Sequence, residues 1–225
     1  MENKIYLIGS SHGAISEGRI RLKEIYDSIR PEVVCTEQSK PEATLFNQFS
    51  KEIFDKYASK FGEKAMKKFL YKFALVKQGF EYLFNSHYAR TNGVRHCLID
   101  RFDMKNFYVT ESDFEDLDRI LANKEDLERI LKERKDIGFE ESLKRWSKLK
   151  PLELTEEFDD YFSSKCEKSP KCREDHLAKA IRDIYGSGKR MAAVVGAEHT
   201  LDSKKTLTLY SKIKDLNPER IILFE

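Results

Sequence analysis

The sequence predicts an α/β fold, a single domain over residues 1–225 with a mostly parallel or mixed central sheet and a large helical insertion. Two observations lead to this prediction. One motif, an apolar run followed by Gly-x-x-His, occurs near each end of the chain. In addition, short apolar runs alternate with segments of helical periodicity, the pattern typical of a sheet covered by helices.

The two copies of the motif are parts of a longer repeat. His12 and His199 are 187 residues apart (199 − 12). Other identical pairs have the same spacing, among them Leu22 and Leu209, Pro31 and Pro218, and Glu32 and Glu219. The units 4–37 and 191–225 therefore each correspond to a strand, a Gly-x-x-His loop, a helix, a Pro-Glu turn and a second strand. We expect the units to pair in one sheet, related by a pseudo-two-fold, and to bring the two imidazoles together.

Five apolar runs are short enough, and bounded well enough, to be buried strands. They cover residues 4–8, 32–36, 95–99, 191–195 and 220–224. The helical insertion covers about residues 39–92 and 104–187. In its first part, apolar side chains recur every three or four residues, and breaks are expected at Gly62 and Gly79. In its second part, a capping box at residues 112–115 opens a highly charged stretch that predicts solvated helices or a lid.

The amino-acid composition argues against some classes of function. Lys and Arg number 41 against 39 Asp and Glu, so the net charge of +2 gives no electrostatic reason to expect nucleic acid binding. Such dense and balanced charge resembles thermophile proteins. No apolar stretch approaches the roughly 18 residues of a membrane span. Strand-like sequence from Lys4 leaves no room for a secretory signal, so we predict a cytoplasmic protein.

The four cysteines divide into two groups. Cys35 and Cys97 lie inside predicted strands, where a reduced thiol packs as a small apolar side chain. Cys166 and Cys172 have a spacing that is uncommon in zinc sites. Their role stays open between a metal pair or disulfide and two unrelated thiols.

Polar residues follow the predicted strands where a parallel sheet places its functional sites. They are His12, Glu37, Asp100, Arg101, Glu198 and His199. Two imidazoles and a carboxylate form a known ligand set for a catalytic metal, so we predict a divalent ion (Zn, Mn or Co) on His12, His199 and Glu37. Arg101 could hold a substrate carboxylate, orient Glu37 or form an ordinary ion pair. Glu198 could be a ligand, a base or a hydrogen-bond acceptor for a ligand, and Glu37 could instead be a helix cap.

Several stretches of the chain resemble, in order, the conserved boxes of one family. They are residues 7–12, 30–37, 78–81, 98–101, 173–178 and 193–199. Together they are similar to the TraB/PrgY/GumN family, which is related to TIKI proteases and more distantly to erythromycin esterase and ChaN-type haem-binding proteins. The resemblance implies a metal-dependent peptidase or related hydrolase. It also implies that Glu81, Arg173 and Glu174 face the site.

Two functional hypotheses follow. The first is a peptidase-like hydrolase acting on a peptide or another carboxylate-bearing substrate. Its catalytic candidates are Glu37, Arg101, Arg173, Glu174 and Glu198, and its substrate-contact candidates are Ser10, Ser11, Glu81 and Asp100. The alternative is a non-catalytic pocket protein that sequesters a peptide, haem or a metal ion. A helical interaction protein is a third and weaker reading, and a homodimer is left open.

Overall fold

The computed structural model describes residues 4–11, 15–77, 79–101, 119, 121, 125, 139–165, 170–186 and 188–225. His12, Cys166 and the predicted capping box at residues 112–115 lie outside these residues. Within them the chain forms a five-stranded sheet and eight α-helices. None of the helices in these ranges has the length and apolar character needed to cross a membrane.

The sheet is parallel throughout, with strand order β3-β2-β4-β1-β5. Its strands are β1 (Ile5–Ser10), β2 (Val33–Thr36), β3 (Arg95–Leu98), β4 (Met191–Gly196) and β5 (Glu219–Ile222). All five predicted strands are confirmed to within two residues at each end. The sequence left open whether the strands would be mostly parallel or of mixed direction, and the structure shows that they are parallel. All four residues of β2 are buried, as expected for a strand covered on both faces.

The helices occupy the segments that the periodicity predicts. They are α1 (Ile15–Ile29), α2 (Lys40–Phe61), α3 (Glu63–Lys77), α4 (Gly79–Asn92), α5 (Phe139–Leu149), α6 (Glu156–Lys165), α7 (Pro170–Tyr185) and α8 (Leu209–Ile213). Both predicted breaks are present. Gly62 separates α2 from α3 with a φ of +84°, and Gly79 opens α4 with a φ of +75°. Glycine suits both positions because it adopts positive φ without a Cβ penalty.

The two repeat units interlock in the centre of the sheet. β1 pairs with β4 in register from Ile5 opposite Met191 to Ser10 opposite Gly196. The second strand of each unit then pairs with the first strand of the other unit, β2 with β4 and β5 with β1. The prediction that both units pair in one sheet is confirmed. When β1 is exchanged with β4 and β2 with β5, the order β2-β4-β1-β5 is the same read from the other end. A two-fold axis that runs along the strands requires this.

Such an axis also exchanges the faces of the sheet, and the repeated leucines follow that rule. Leu22 of α1 packs with Ile8 and Val34 on one face. Its counterpart, Leu209 of α8, packs with Leu7 and Val195 on the opposite face. Both leucines are fully buried. The repeat therefore extends from the strands to the helices that cover them.

The inserted helices add to the core in two ways. α2 and α3 form an apolar cluster of their own around Phe46, Phe49 and Phe69, in which Phe73 stacks on all three rings. α5 and α6 instead bury Trp146, Phe158 and Phe162 in the cluster that contains α1. The helices α5 and α6 thus pack against the sheet, each with an apolar face inward and its charges in solvent.

Candidate functional site

Five polar side chains meet at the carboxyl edge of the sheet. Glu37 directly follows β2, Asp100 lies two residues beyond β3, and His199 belongs to a 3₁₀ turn after β4 (Ala197–Thr200). Because the carboxyl ends of parallel strands share one edge, these residues come together. Arg173 and Glu174 reach the same edge from α7.

The position of Arg173 and Glu174 follows from helix geometry. They precede Leu177 by four and three residues, so they lie on the same side of α7 as this leucine. Leu177 and Ile181 are fully buried in the apolar cluster that contains Met191 of β4 and Leu209 of α8. Packing of this apolar stripe therefore aims the two charged side chains at the sheet edge.

His199 lies between two carboxylates. Its Nε2 is 3.1 Å from Glu37 Oε1, and its Nδ1 is 2.9 Å from Glu174 Oε1. The edge of the imidazole meets the Phe162 ring at 88°, with the centroids 5.8 Å apart. The imidazole is buried, so both contacts are shielded from water.

Burial and the two carboxylates determine whether the His199 imidazole is charged. Burial by itself lowers the pKa of His199. The nearby negative charges of Glu174 and Glu37 outweigh that effect and raise the pKa of His199 well above its ordinary value. A ring with a raised pKa carries both protons at neutral pH, so it can donate one of them.

Glu37 is held by three groups. Its Oε2 accepts the backbone N–H of Gly196 at 2.7 Å, and its Oε1 accepts Arg173 Nη2 at 2.5 Å besides contacting His199. The space beside Gly196 is tight, because a Cβ there would lie 3.2 Å from His199 Cδ2 and 3.7 Å from Glu37 Oε2. Glycine therefore allows the backbone donor, the carboxylate and the imidazole to approach one another.

Arg173 ties the ends of β2 and β3 together. Besides Glu37, it binds Asp100, donating Nη2 to Oδ2 at 2.6 Å and Nε to the same oxygen at 3.2 Å. Burial would lower the pKa of Arg173, but the charges of Glu37 and Asp100 and the hydrogen bond to Asp100 raise it. The orienting role considered for Arg101 is thus performed by Arg173. Arg101 is half-buried and donates its backbone N–H to Asp100 Oδ1 at 2.8 Å.

Glu174 is the most deeply buried member of the group, with a side chain that is 0% exposed. Neither of its oxygens makes a hydrogen bond of good geometry within the described residues. The 2.9 Å contact with His199 Nδ1 is close enough for an ion pair, but its angles fall outside hydrogen-bond limits. A charged carboxylate in such a place is costly unless a cation compensates it, so Glu174 depends on the His199 charge.

The first repeat unit adds a second polar pair nearby. Ser10 Oγ donates to Glu81 Oε1 at 2.6 Å, and both residues are only 3% exposed. Ser10 is the register partner of Gly196, whose N–H binds Glu37, so this pair lies at the same edge of the sheet. Ser11 accepts a hydrogen bond from Ser142 Oγ at 2.9 Å, which joins the loop after β1 to α5. Glu198 is half-buried in the turn that carries His199.

The described members of the predicted metal site fit a shared ion. Two donors 3.1 Å apart, each about 2.0–2.1 Å from a metal, subtend an angle of roughly 100°, which suits zinc and similar ions. A carboxylate on Nδ1, where Glu174 lies, is the usual outer partner of a metal-binding histidine. His12 lies outside the described residues, and within them no group of three His, Cys, Asp or Glu could hold a metal ion. The three-residue site therefore stays a prediction.

Comparison with known proteins adds no relative. No family model matches the sequence, and neither a curated protein nor a solved structure matches it. The resemblance to the TraB/PrgY/GumN family thus stays a prediction. Inferences about function depend on the contacts of Glu37, Asp100, Arg173, Glu174 and His199.

Proposed function

We propose that the chain is a hydrolase whose reaction is carried by Glu37, His199 and Glu174 at the carboxyl edge of the sheet. The observation that supports this most is the imidazole between two carboxylates. That arrangement places a proton donor and a proton acceptor 3.1 Å apart in a water-poor setting. Paired groups of this kind are what general acid–base hydrolysis requires.

Each residue has a separate part in this proposal. Glu37 is the base, because it is a carboxylate oriented by Arg173 and the Gly196 N–H. It accepts the proton of the attacking water. His199 is the acid, and its Nε2 delivers a proton to the leaving group. Glu174 faces Nδ1 and keeps the ring charged and oriented, which is a positioning role.

A divalent metal on His12, His199 and Glu37 would polarise the substrate carbonyl and lower the pKa of a bound water. Glu174 then has the same task, since it keeps the Nδ1 proton in place while Nε2 is used for binding. Arg173 would still tie Glu37 to Asp100. With the metal, Glu37 and His199 would act as ligands, whereas Arg173, Asp100 and Glu174 would keep their positioning roles.

The substrate class and the location of the protein follow from other observations. The resemblance to the TraB/PrgY/GumN family favours a peptide substrate. A cytoplasmic location suits the two free buried thiols, Cys35 and Cys97, because thiols persist in reducing compartments. The alternative function, a pocket that sequesters a peptide, haem or a metal ion, would use the same residues without turnover.

Hydrolysis assays with matched variants test the proposal. The purified protein is assayed against a panel of peptides, amides and esters, with and without Zn²⁺, Mn²⁺ or Co²⁺. Removing a general acid or base typically costs about 10²–10⁴-fold in rate, so Glu37→Gln and His199→Gln should each lose activity on that scale. Glu141→Gln, at an exposed ion pair on α5, is the control and should retain full activity.

Two results would contradict this proposal. Hydrolysis that survives both Glu37→Gln and His199→Gln would show that these residues do not carry the reaction. Tight binding of a peptide or haem without turnover, lost in His199→Gln, would favour the sequestering pocket.

A further inference from the structure

Two cysteines face each other beneath the site. Cys35 of β2 and Cys97 of β3 are directly opposed in the parallel register. Both are free thiols, and both belong to the apolar cluster on the face covered by α7 and α8. Cys35 is fully buried, whereas Cys97 is 9% exposed on an edge strand. An oxidant can therefore reach Cys97 first.

The two thiols are chemically unequal. A hydrogen bond with Cys35, the main cause, lowers the pKa of Cys97 to about 7, and the charge of Arg95 acts in the same direction. Cys97 also has the greater exposure, 9% against 0% for Cys35, so it is the thiol that peroxide meets first.

A disulfide here would strain the sheet. Directly opposed residues of neighbouring strands lie about 4.7–4.9 Å apart, at the short end of the roughly 4.4–6.8 Å range of Cα separations in disulfides. Because the Cβ atoms must also close to about 3.8 Å, forming the bond would require local adjustment of β2 and β3 at this position. Strained disulfides have higher reduction potentials, and these are the bonds that reductants reverse easily.

The same two strands carry the site. Glu37 lies two residues beyond Cys35, and Asp100 lies three residues beyond Cys97. Arg173 spans the two carboxylates with bonds of 2.5 and 2.6 Å. A change in the spacing of β2 and β3 therefore changes the distance that Arg173 bridges, and with it the position of Glu37 against His199.

We propose that Cys35 and Cys97 form a reversible disulfide on exposure to peroxide, and that this bond alters the contact between Glu37 and His199. The regulatory meaning of that change depends on the proposed function. Formation of the bond and its structural effect do not.

The reaction balances in two steps. The Cys97 thiolate attacks one oxygen of hydrogen peroxide, the O–O bond breaks, and Cys97 becomes a sulfenic acid. The Cys35 sulfur then attacks the Cys97 sulfur, the S–S bond forms, the S–O bond breaks, and water leaves. Two thiols lose two electrons in total, and the peroxide is reduced to two water molecules. A dithiol reductant restores both thiols by exchange.

Peptide mapping tests the bond itself. The full chain carrying Cys166→Ser and Cys172→Ser is treated with hydrogen peroxide, alkylated and digested without reductant. The peptides that contain Cys35 and Cys97 should appear joined in most molecules, two hydrogens lighter than their sum, and separate after dithiothreitol. If Cys97 proceeds to sulfinic acid without the bridge, or both thiols survive peroxide that oxidises the urea-unfolded chain, the proposal is wrong.

Nuclear magnetic resonance of ¹⁵N-histidine-labelled protein tests the coupling to the site without any substrate. The His199 ring signals, assigned by their loss in His199→Gln, should shift on oxidation and return on reduction. The same treatment of Cys35→Ala, whose fold is checked by circular dichroism, should leave them unchanged. A complete disulfide with unshifted His199 signals would refute the coupling, whether or not the protein proves to be a hydrolase.

Discussion

Replacing Gly196 with alanine perturbs the site at a single point. Gly196 has φ −57° and ψ 140°, a conformation that alanine adopts without strain. Its N–H would remain able to donate to Glu37. The new methyl group, however, would lie 3.2 Å from His199 Cδ2 and 3.6 Å from Nε2. The imidazole must therefore move.

The size of the effect can be worked from these contacts. The 3.2 Å approach is about two tenths of an ångström short of ordinary van der Waals contact. Glycine to alanine at a compatible site stabilises a protein by about 0.4–1 kcal/mol through the unfolded chain. Crowding in a packed site costs about 1–3 kcal/mol. We therefore expect a net loss between about 0 and about 2.6 kcal/mol in the free energy of unfolding.

The effect on the site should be larger than the effect on stability. Moving the ring away from Gly196 disturbs its 3.1 Å contact with Glu37, which helps to raise the pKa of His199. We expect the pKa of His199 to fall in Gly196→Ala, as followed by the pH titration of its ring signals in nuclear magnetic resonance. Hydrolysis or metal binding, whichever is observed in the unaltered protein, should fall with it.

Gly186→Ala is the matched control, because a Cβ there would meet only the Arg182 carbonyl oxygen, at 3.9 Å. It should leave the His199 titration unchanged. If Gly196→Ala titrates like the unaltered protein, the tight packing around Gly196 does not position the ring. If Gly196→Ala instead unfolds the chain, the close approach serves the fold and not the site.

Three further predictions concern the same group. Because the folded-state pKa of His199 is raised, its contribution to stability should be full below the unfolded pKa of about 6.5 and should be lost as the pH rises through the folded value. Urea unfolding of the unaltered protein and of His199→Gln, measured over a range of pH, tests this. A difference in unfolding free energy between the two proteins that does not change with pH would contradict it. A divalent metal at 100 times its Kd should stabilise the protein by about 2.7 kcal/mol. Thermal unfolding should show this as a raised midpoint in the unaltered protein, and the increase should be absent in His12→Ala and in His199→Ala. An unchanged midpoint in the unaltered protein would argue against the metal. Arg173→Lys keeps the positive charge but loses the planar guanidinium that joins Glu37 to Asp100. It should therefore lower the free energy of unfolding by about 1–2 kcal/mol, measured by thermal unfolding. An unaltered midpoint would show that this bridge adds no stability.

Much of the fold could be predicted because it depends on local patterns. Buried strands must be short and apolar, and helices must repeat every three or four residues, so both are visible along the chain. The constant offset of 187 residues also indicated which segments would pair. The same reasoning predicted that Glu37 and His199 would meet, because residues that directly follow parallel strands share one edge.

Contacts made across the fold could not be predicted in this way. Arg173 and Glu174 lie in a helix far along the chain, and their place in the site came from the family resemblance alone. The buried stripe of Leu177 and Ile181 fixes which side of α7 faces inward. Where that side packs against the sheet is a property of the tertiary structure. The tie between Arg173 and Asp100, which orients Glu37, is a consequence of the same packing.

The sequence by itself determined the positions of the five strands, the paired repeat and the edge at which His199 and Glu37 would lie, and the structure showed that all five strands are parallel. Only the tertiary structure decided that a carboxylate would face each nitrogen of the imidazole, and that Cys35 would oppose Cys97. The physical reason is one of range. Periodicity along the chain specifies the face or edge on which a residue lies, whereas a contact of about 3 Å depends on how helices and strands pack against one another.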